Sequence, residues 1–355
     1  LRQMNSMLPF VFLSFVVLTD AYVGFTHSYL YDEYDVWNKP QIEVLPRICK
    51  TGCKVYVSLS KSSMDVAKKV TFIDQEHIVN ISLYDVSQQF DTATTQKKPL
   101  IVKPTEKLTI SNGNELVKDG ETLGPLIIHI ISNDAPSNMQ YEVYEASNMY
   151  RPPSTGNIVT IMSADPFSVT AKRAKGNKVT AIGAGYDSIN ECVKVFELND
   201  EMNFPGFEVN PRMPMLTFKF GMNNPMELHT KIENYDSLTF DQNNFIASPG
   251  FIGCDGMEVY RSSLYPTSVD YTAMADKNMT VVIYLTLNTY QDNLLHIKDN
   301  TNHNEYAVWG NKASKNSQQQ LVMTTKDFTV WWTRKMTNST FLIRITSSEV
   351  VSKNN

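Results

Sequence analysis

Met279-Thr280-Val281-Val282-Ile283-Tyr284-Leu285-Thr286-Leu287-Asn288 sets Val281, Ile283, Leu285 and Leu287 at every second position. Side chains alternate across a strand, so these four share one face, while Val282, Tyr284, Thr286 and Asn288 share the other. The stretch is a half-buried strand. The alternation returns in Phe328, Val330 and Trp332, and again in Phe341, Ile343 and Ile345. Upstream, CKVYVSLS from Cys53, VTFID from Val70, HIVNISLYD from His77 and PLIIHIIS from Pro125 read the same way. QYEVYEAS, NIVTIMSA, CVKVFEL and LTFKFGM continue the series. Turn residues punctuate these runs, including Pro152-Pro153, Pro205, Pro211 and Pro214. Short strands separated by such signals predict β-sandwiches. Only SSMDVAKKV, from Ser62, offers a helical turn. The expectation is an all-β chain of tandem sandwich-like domains, divided near Pro136 and Asp236.

The 355 residues are enough for two or three domains of ~100–150 residues each. A hydrophobic fraction of 42% supplies packed cores and argues against disorder. The net charge of -5 gives no basis for nucleic-acid binding, which wants a concentrated basic face. The small cluster Arg173, Lys175 and Lys178 lies between two strand-like runs and reads as a solvated hairpin tip, with contact to an anionic glycan as the alternative. Leu8 to Leu18 is apolar apart from Ser14, followed by Thr19-Asp20-Ala21. That is the length of a signal-peptide core and falls short of a membrane span. Residues 1–21 are therefore expected to be a signal peptide, 22–136 an N-terminal β-rich domain, 137–235 a middle β-sandwich-like domain and 236–350 a C-terminal domain. A secreted product with no membrane insertion follows. The acidic, aromatic run Ser28 to Trp37 reads as an exposed N-terminal segment, with a sulfated-tyrosine patch or a cation-binding loop as alternatives.

Four cysteines, Cys49, Cys53, Cys192 and Cys254, suit an oxidising compartment and allow three pairings. Gly52 supplies a tight turn between Cys49 and Cys53, which favours that pair and leaves Cys192 with Cys254. A zinc site would need a second pair of thiols or imidazoles, and none stands at suitable spacing. Sequons begin at Asn80, Asn278 and Asn338, making these the expected glycosylation sites.

Motifs for catalysis are missing: there is no G-x-S-x-G elbow, H-E-x-x-H or phosphate loop. His129, inside PLIIHIIS, reads as a packed and hydrogen-bonded imidazole. Trp331 and Trp332 must point to opposite faces, and Trp332 shares the face of Phe328 and Val330. Trp331 is the outward ring, suited to stacking on a sugar, to a protein contact or to packing on a neighbouring domain.

The order from Phe245 resembles a CUB domain, and more closely the CUB-like domains of secreted nematode proteins. Its elements are FIASPGF, Cys254, Tyr260, the MTVVIYLTL strand, Asp292 opening NLLHI, Gly310 and the last strand pair. The resemblance implies a jelly-roll sandwich over about 236–347 and a secreted protein of innate immune or stress responses that binds a glycan or protein ligand without catalysis. Trp331 and Asp292 are then the candidate ligand-binding residues. The segment departs from the family in carrying only Cys254. Calcium-binding CUB domains need several converging acidic ligands. Asp292 matches one of these, while Asn288-Thr289-Tyr290 supplies no second, which argues against a calcium site; the expectation is no cofactor, with calcium as the alternative. The rival readings are a secreted hydrolase with dispersed catalytic residues and a structural extracellular component.

Non-reducing peptide mapping of the secreted protein is expected to give Cys49–Cys53 and Cys192–Cys254; a free Cys192 in folded material refutes the second bridge.

Overall fold

The structure is a computed structural model. It describes residues 24–32, 41–44, 47–74, 76, 79–94, 96–111, 126–146, 157–165, 167–172, 179–182, 185–186, 194–198, 206–209, 215–220, 227–232, 237–238, 244–247, 257–261, 270–288, 294–309, 317–333 and 340–349. Cys192, Cys254, Asp292, Asn338 and the Leu8–Leu18 run lie outside the described residues.

The first part of the chain forms β1 (Thr26–Asp32), β2 (Gln41–Glu43), β3 (Cys53–Leu59), β4 (Thr71–Asp74), β5 (Val79–Ser82), β6 (Leu100–Val102), β7 (Leu108–Ser111) and β8 (Leu126–Ser132). The middle forms β9 (Tyr141–Glu145), β10 (Ile158–Met162), β11 (Phe167–Lys172), β12 (Val179–Ile182), β13 (Lys194–Leu198), β14 (Gly206–Val209), β15 (Met215–Phe220) and β16 (Glu227–Ile232). The last part forms β17 (Ser237–Leu238), β18 (Asn244–Ala247), β19 (Met257–Arg261), β20 (Asp270–Asn288), β21 (Leu294–Asp299), β22 (Asn304–Trp309), β23 (Ser317–Thr333) and β24 (Thr340–Glu349). Helix is confined to a 3-10 turn at Lys61–Ser63, α1 (Met64–Ala67) and α2 (Leu83–Ser87) among the described residues. Ser82 caps α2: its Oγ accepts from the Asp85 backbone N–H at 3.0 Å and donates to the Asp85 carboxylate at 2.7 Å. The chain is all-β, as its period-two runs predict.

Sheet one has the order β19-β1-β8-β3-β6, and sheet two β2-β7-β4-β5. Sheet three is β13-β12-β15-β10-β9 and sheet four β14-β11-β16. Sheet five is β18-β24-β20-β23-β21-β22, with β17 beside β20.

Every residue of β8 is buried. Its Leu126, Ile128 and Ile130 join Tyr29, Val55 and Val57 in a core with Phe72, Leu108 and Ile110 of sheet two and Val66 and Leu83 of the helical turns. On its other face, Ile127 and Ile131 meet Tyr56, Val143, Met162 and Met215. Sheet one is thus the central layer, with sheet two on one side and sheet three on the other. A fully apolar run is what a strand covered on both faces requires.

The contact with sheet three is also polar. Lys97, with its side chain 2% exposed, bonds Glu145 of β9 at 2.6 Å and donates to the Ser87 carbonyl at 3.2 Å. Ser58 of β3 donates to the second Glu145 oxygen at 2.5 Å and accepts from the Ala164 N–H at 3.0 Å. The Lys97 N–H bonds the Val143 carbonyl at 2.8 Å, so this segment pairs with the edge strand β9. Removing Glu145 costs about 1–3 kcal/mol, because the buried Lys97 ammonium is left without its charged partner.

The acidic, aromatic run Ser28–Trp37 requires a correction. Its beginning belongs to β1, hydrogen-bonded between β19 and β8, and Ser28 and Tyr29 are fully buried. The expectation of an exposed segment followed from its carboxylates and overlooked the alternation ahead of them.

Cys49 and Cys53 are disulfide-bonded, with Cα atoms 4.8 Å apart. The Gly52 N–H donates to the Cys49 carbonyl at 2.8 Å, and the Gly52 carbonyl accepts from Asn133 at 2.9 Å. Gly52 has φ of 91°, a left-handed conformation that side chains disfavour. A Cβ there would also stand 2.6 Å from the Asn133 side chain and 2.9 Å from the Val102 carbonyl.

Gly52→Ala is expected to lower stability by about 1–3 kcal/mol, through strain and the clash with Val102. Urea denaturation checks this; an unchanged midpoint would show that the turn relaxes freely.

Candidate binding surface

Sheet five separates an apolar face from an exposed one. Met279, Val281, Ile283 and Leu285 of β20 pack with Ile297, Met323, Phe328, Val330, Ile343 and Ile345. The intervening residues face the other way. Across that outer face Tyr284 stands opposite Gln320 and Arg344, and Val282 opposite Val322 and Thr346. The Arg344 guanidinium lies 5.7 Å from the Tyr284 ring centroid.

Trp331 lies on the same outer face, since its neighbour Val330 is buried and Trp331 is half-buried. The β21–β23 register places it opposite His296. The two rings stack at 4.7 Å, tilted by only 7°. His296 Nδ1 is 3.2 Å from a carboxylate oxygen of Glu305 on β22, whose side chain is 54% exposed. One indole face is therefore braced, and an exposed carboxylate stands beside the brace.

The turn behind this group is tightly bonded. Buried Asp299 accepts from the backbone of Thr301 and Asn302, from the Asn302 amide at 2.7 Å and from the Thr325 hydroxyl at 2.7 Å. Burial pushes its carboxyl up, and the hydrogen bonds from Asn302 and Thr325 outweigh that and hold it below the ordinary carboxylate value. Asn300 ties the turn to Asp327 and Thr329 of β23. The strands carrying His296, Glu305 and Trp331 are thereby fixed to one another. Sequence reasoning singled out Trp331 by strand parity and missed His296 and Glu305. Parity within LLHIKD and NEYAVW could have marked their faces, but pairing them with Trp331 needs the register.

Asn80 is exposed on β5, an edge strand, and Asn278 is exposed within β20. Among the described residues, no three His, Cys, Asp or Glu side chains gather as a metal site, and no helix is long and apolar enough to cross a membrane.

Among the described residues, a serine–histidine contact lies in the interior. Ser28 Oγ lies 2.8 Å from His129 Nδ1, on neighbouring strands and with both residues fully buried. Burial, reinforced by His27, pushes the His129 imidazole down to about 3. So weak a base is poorly matched to taking a serine proton near neutrality. The pair belongs to the layer between sheets one and three.

No family model matches the chain, and no curated protein matches it significantly. Among solved structures it is similar to the CUB1-EGF-CUB2 domain of human MASP-1/3, at 8% identity over 57% of this chain and 98% of that one, with a TM-score of 0.22. It is also similar to a chain of the lipid-containing bacteriophage PM2, at 7% identity over 92% of this chain and 98% of that one, with a TM-score of 0.15. Scores this low carry no argument about what the chain does.

The buried imidazole makes stability pH-dependent. Above its ordinary value of 6.5, His129 is neutral folded or unfolded. As pH falls from there toward about 3, the unfolded chain alone takes up the proton, and stability drops by up to ~1.4 kcal/mol per pH unit. His129→Gln is expected to flatten the dependence of the urea midpoint between pH ~6.5 and ~5. An unchanged slope would assign the loss to other groups.

Proposed function

We propose that the chain is an exported, extracellular binding protein that acts without catalysis, and that the part of the outer face of sheet five around Trp331 is its recognition surface. The observation that carries this is the Trp331–His296 stack beside the Glu305 carboxylate. A braced indole offers apolar area at little entropic cost, and a carboxylate accepts hydroxyl hydrogen bonds. Together they suit a carbohydrate, with a protein surface as the alternative ligand. The Cys49–Cys53 bridge supports an oxidising compartment, and the Leu8–Leu18 run supports export through a cleaved leader. The innate immune or stress setting rests on the resemblance of 236–347 to the CUB-like nematode proteins. Asp292 belongs to this proposal through the same resemblance, as does any contribution of calcium. The hydrolase reading would need a reachable nucleophile, and the Ser28–His129 pair is not one.

Retention on glycan and microbial-surface arrays, with and without calcium, tests the proposal. Trp331→Ala is expected to weaken binding about tenfold, a loss of ~1.4 kcal/mol. Selective binding untouched by that substitution would move the site elsewhere. Substrate turnover abolished by a single serine or carboxylate substitution would replace the reading with an enzymatic one.

A further inference from the structure

The outer face of sheet five carries two of the most exposed large apolar side chains among the described residues, Val322 at 56% and Tyr284 at 43%. Val282 stands opposite Val322 and completes the patch. Exposed apolar side chains grouped on one face leave room for a cover. The chain itself places a candidate cover beside it. Asn278 opens the sequon Asn278-Met279-Thr280 and is exposed, while Met279 is 1% exposed in the core. Asn278 directly precedes Met279, where regular pairing resumes, and stands two residues before Thr280 of the outer face. It stands at the end of the irregular stretch where the β20–β23 register breaks between Met274 and Met279. At ~3.3 Å per residue, Val282 is only ~13 Å away along the strand.

We propose that Asn278 carries an N-linked oligosaccharide whose first sugars lie over the Val282–Val322–Tyr284 patch, covering it from solvent and from other copies of the chain. The attachment is a group transfer. The Asn278 amide nitrogen forms a bond to C1 of the first sugar of a lipid-pyrophosphate-linked oligosaccharide. The bond from C1 to the pyrophosphate oxygen breaks, the lipid pyrophosphate leaves, and the amide proton passes to solvent. Once attached, the acetamido methyl of the first N-acetylglucosamine meets valine methyls, and the apolar face of a later sugar meets the Tyr284 ring. Gln320, Arg344, Thr324 and Thr346, at neighbouring positions on the face, offer polar partners to the sugar hydroxyls. In the other direction along β20 the glycan would meet the charged pair Asp276 and Lys277, so the apolar patch is its better support.

This inference rests on the proposed export of the chain, and the experiment separates the two. The full chain is expressed in a glycosylating secretory host and mapped by glycopeptide mass spectrometry, with Asn278 expected to be occupied. Asn278→Gln and Thr280→Ala remove the sequon through different side chains, and circular dichroism selects folded material. Each is expected to give a several-fold rise in fluorescence of a hydrophobic dye and concentration-dependent association by sedimentation. Adding Val322→Thr is expected to reverse both changes. A secreted chain bare at Asn278 overturns the proposal and leaves export standing. Occupied wild type and folded sequon variants that match in dye binding and sedimentation overturn the covering role. A chain held inside the cell, bare at both Asn80 and Asn278, overturns the export reading and this inference with it.

Discussion

Burial of β8 on both faces is the constraint from which the N-terminal and middle layers follow. Ile128 and Ile130 help build one core, and Ile127 and Ile131 build the next, one residue out of phase. A slip of one residue would exchange the two sets and set His129 among the wrong neighbours. Each fully buried aliphatic side chain contributes about 1.5–3 kcal/mol, so both interfaces draw on the same short strand. Neither sheet two nor sheet three can be packed correctly without it.

The polar groups in that layer add direction to what apolar packing leaves loose. Lys97 lies in the connection ahead of β6, yet its charge and its backbone N–H both engage β9. Ser58 sits on β3 and reaches Glu145 and the backbone of Ala164 together. Apolar surfaces tolerate sliding, whereas a buried donor and acceptor that miss each other incur a desolvation penalty. The sheets are therefore held in one relative position. In sheet five, Asp299 plays the comparable part for the turn that brings Glu305 beside His296.

Much of this was legible in the residues, and the limits have physical causes. The alternation in MTVVIYLTLN and the continuous apolar run PLIIHIIS marked a half-covered strand and a doubly covered one, because burial imposes those patterns directly. Trp331 could be turned outward from its neighbours alone. What lay beyond reach was pairing between distant strands. Nothing local in His296 declares that Trp331 stands opposite, and nothing in Ser28–Asp32 declares that β8 and β19 flank it. The carboxylates around Tyr31 and Tyr34 concealed a central strand because composition was weighed over alternation. The extension of β20 upstream to Asp270 was hidden similarly, since the irregular stretch before Met279 interrupts the period by which strands are read.

The parallel pairing of β1 with β19 joins Ser28 to Met257 and Asp32 to Arg261. Between them lie most of the strands of the molecule. Closing so long a segment carries an entropic cost that grows slowly with length but is met before the contact returns anything. On a ribosome, the N-terminal strand emerges first and its last neighbour emerges only after sheets three and four have been made. During that interval the outer backbone edge of β1 has no partner from its own sheet, and an open edge is a template for any extended chain nearby. The order of synthesis thus places the greatest hazard of mispairing at a strand that the finished molecule holds between two partners.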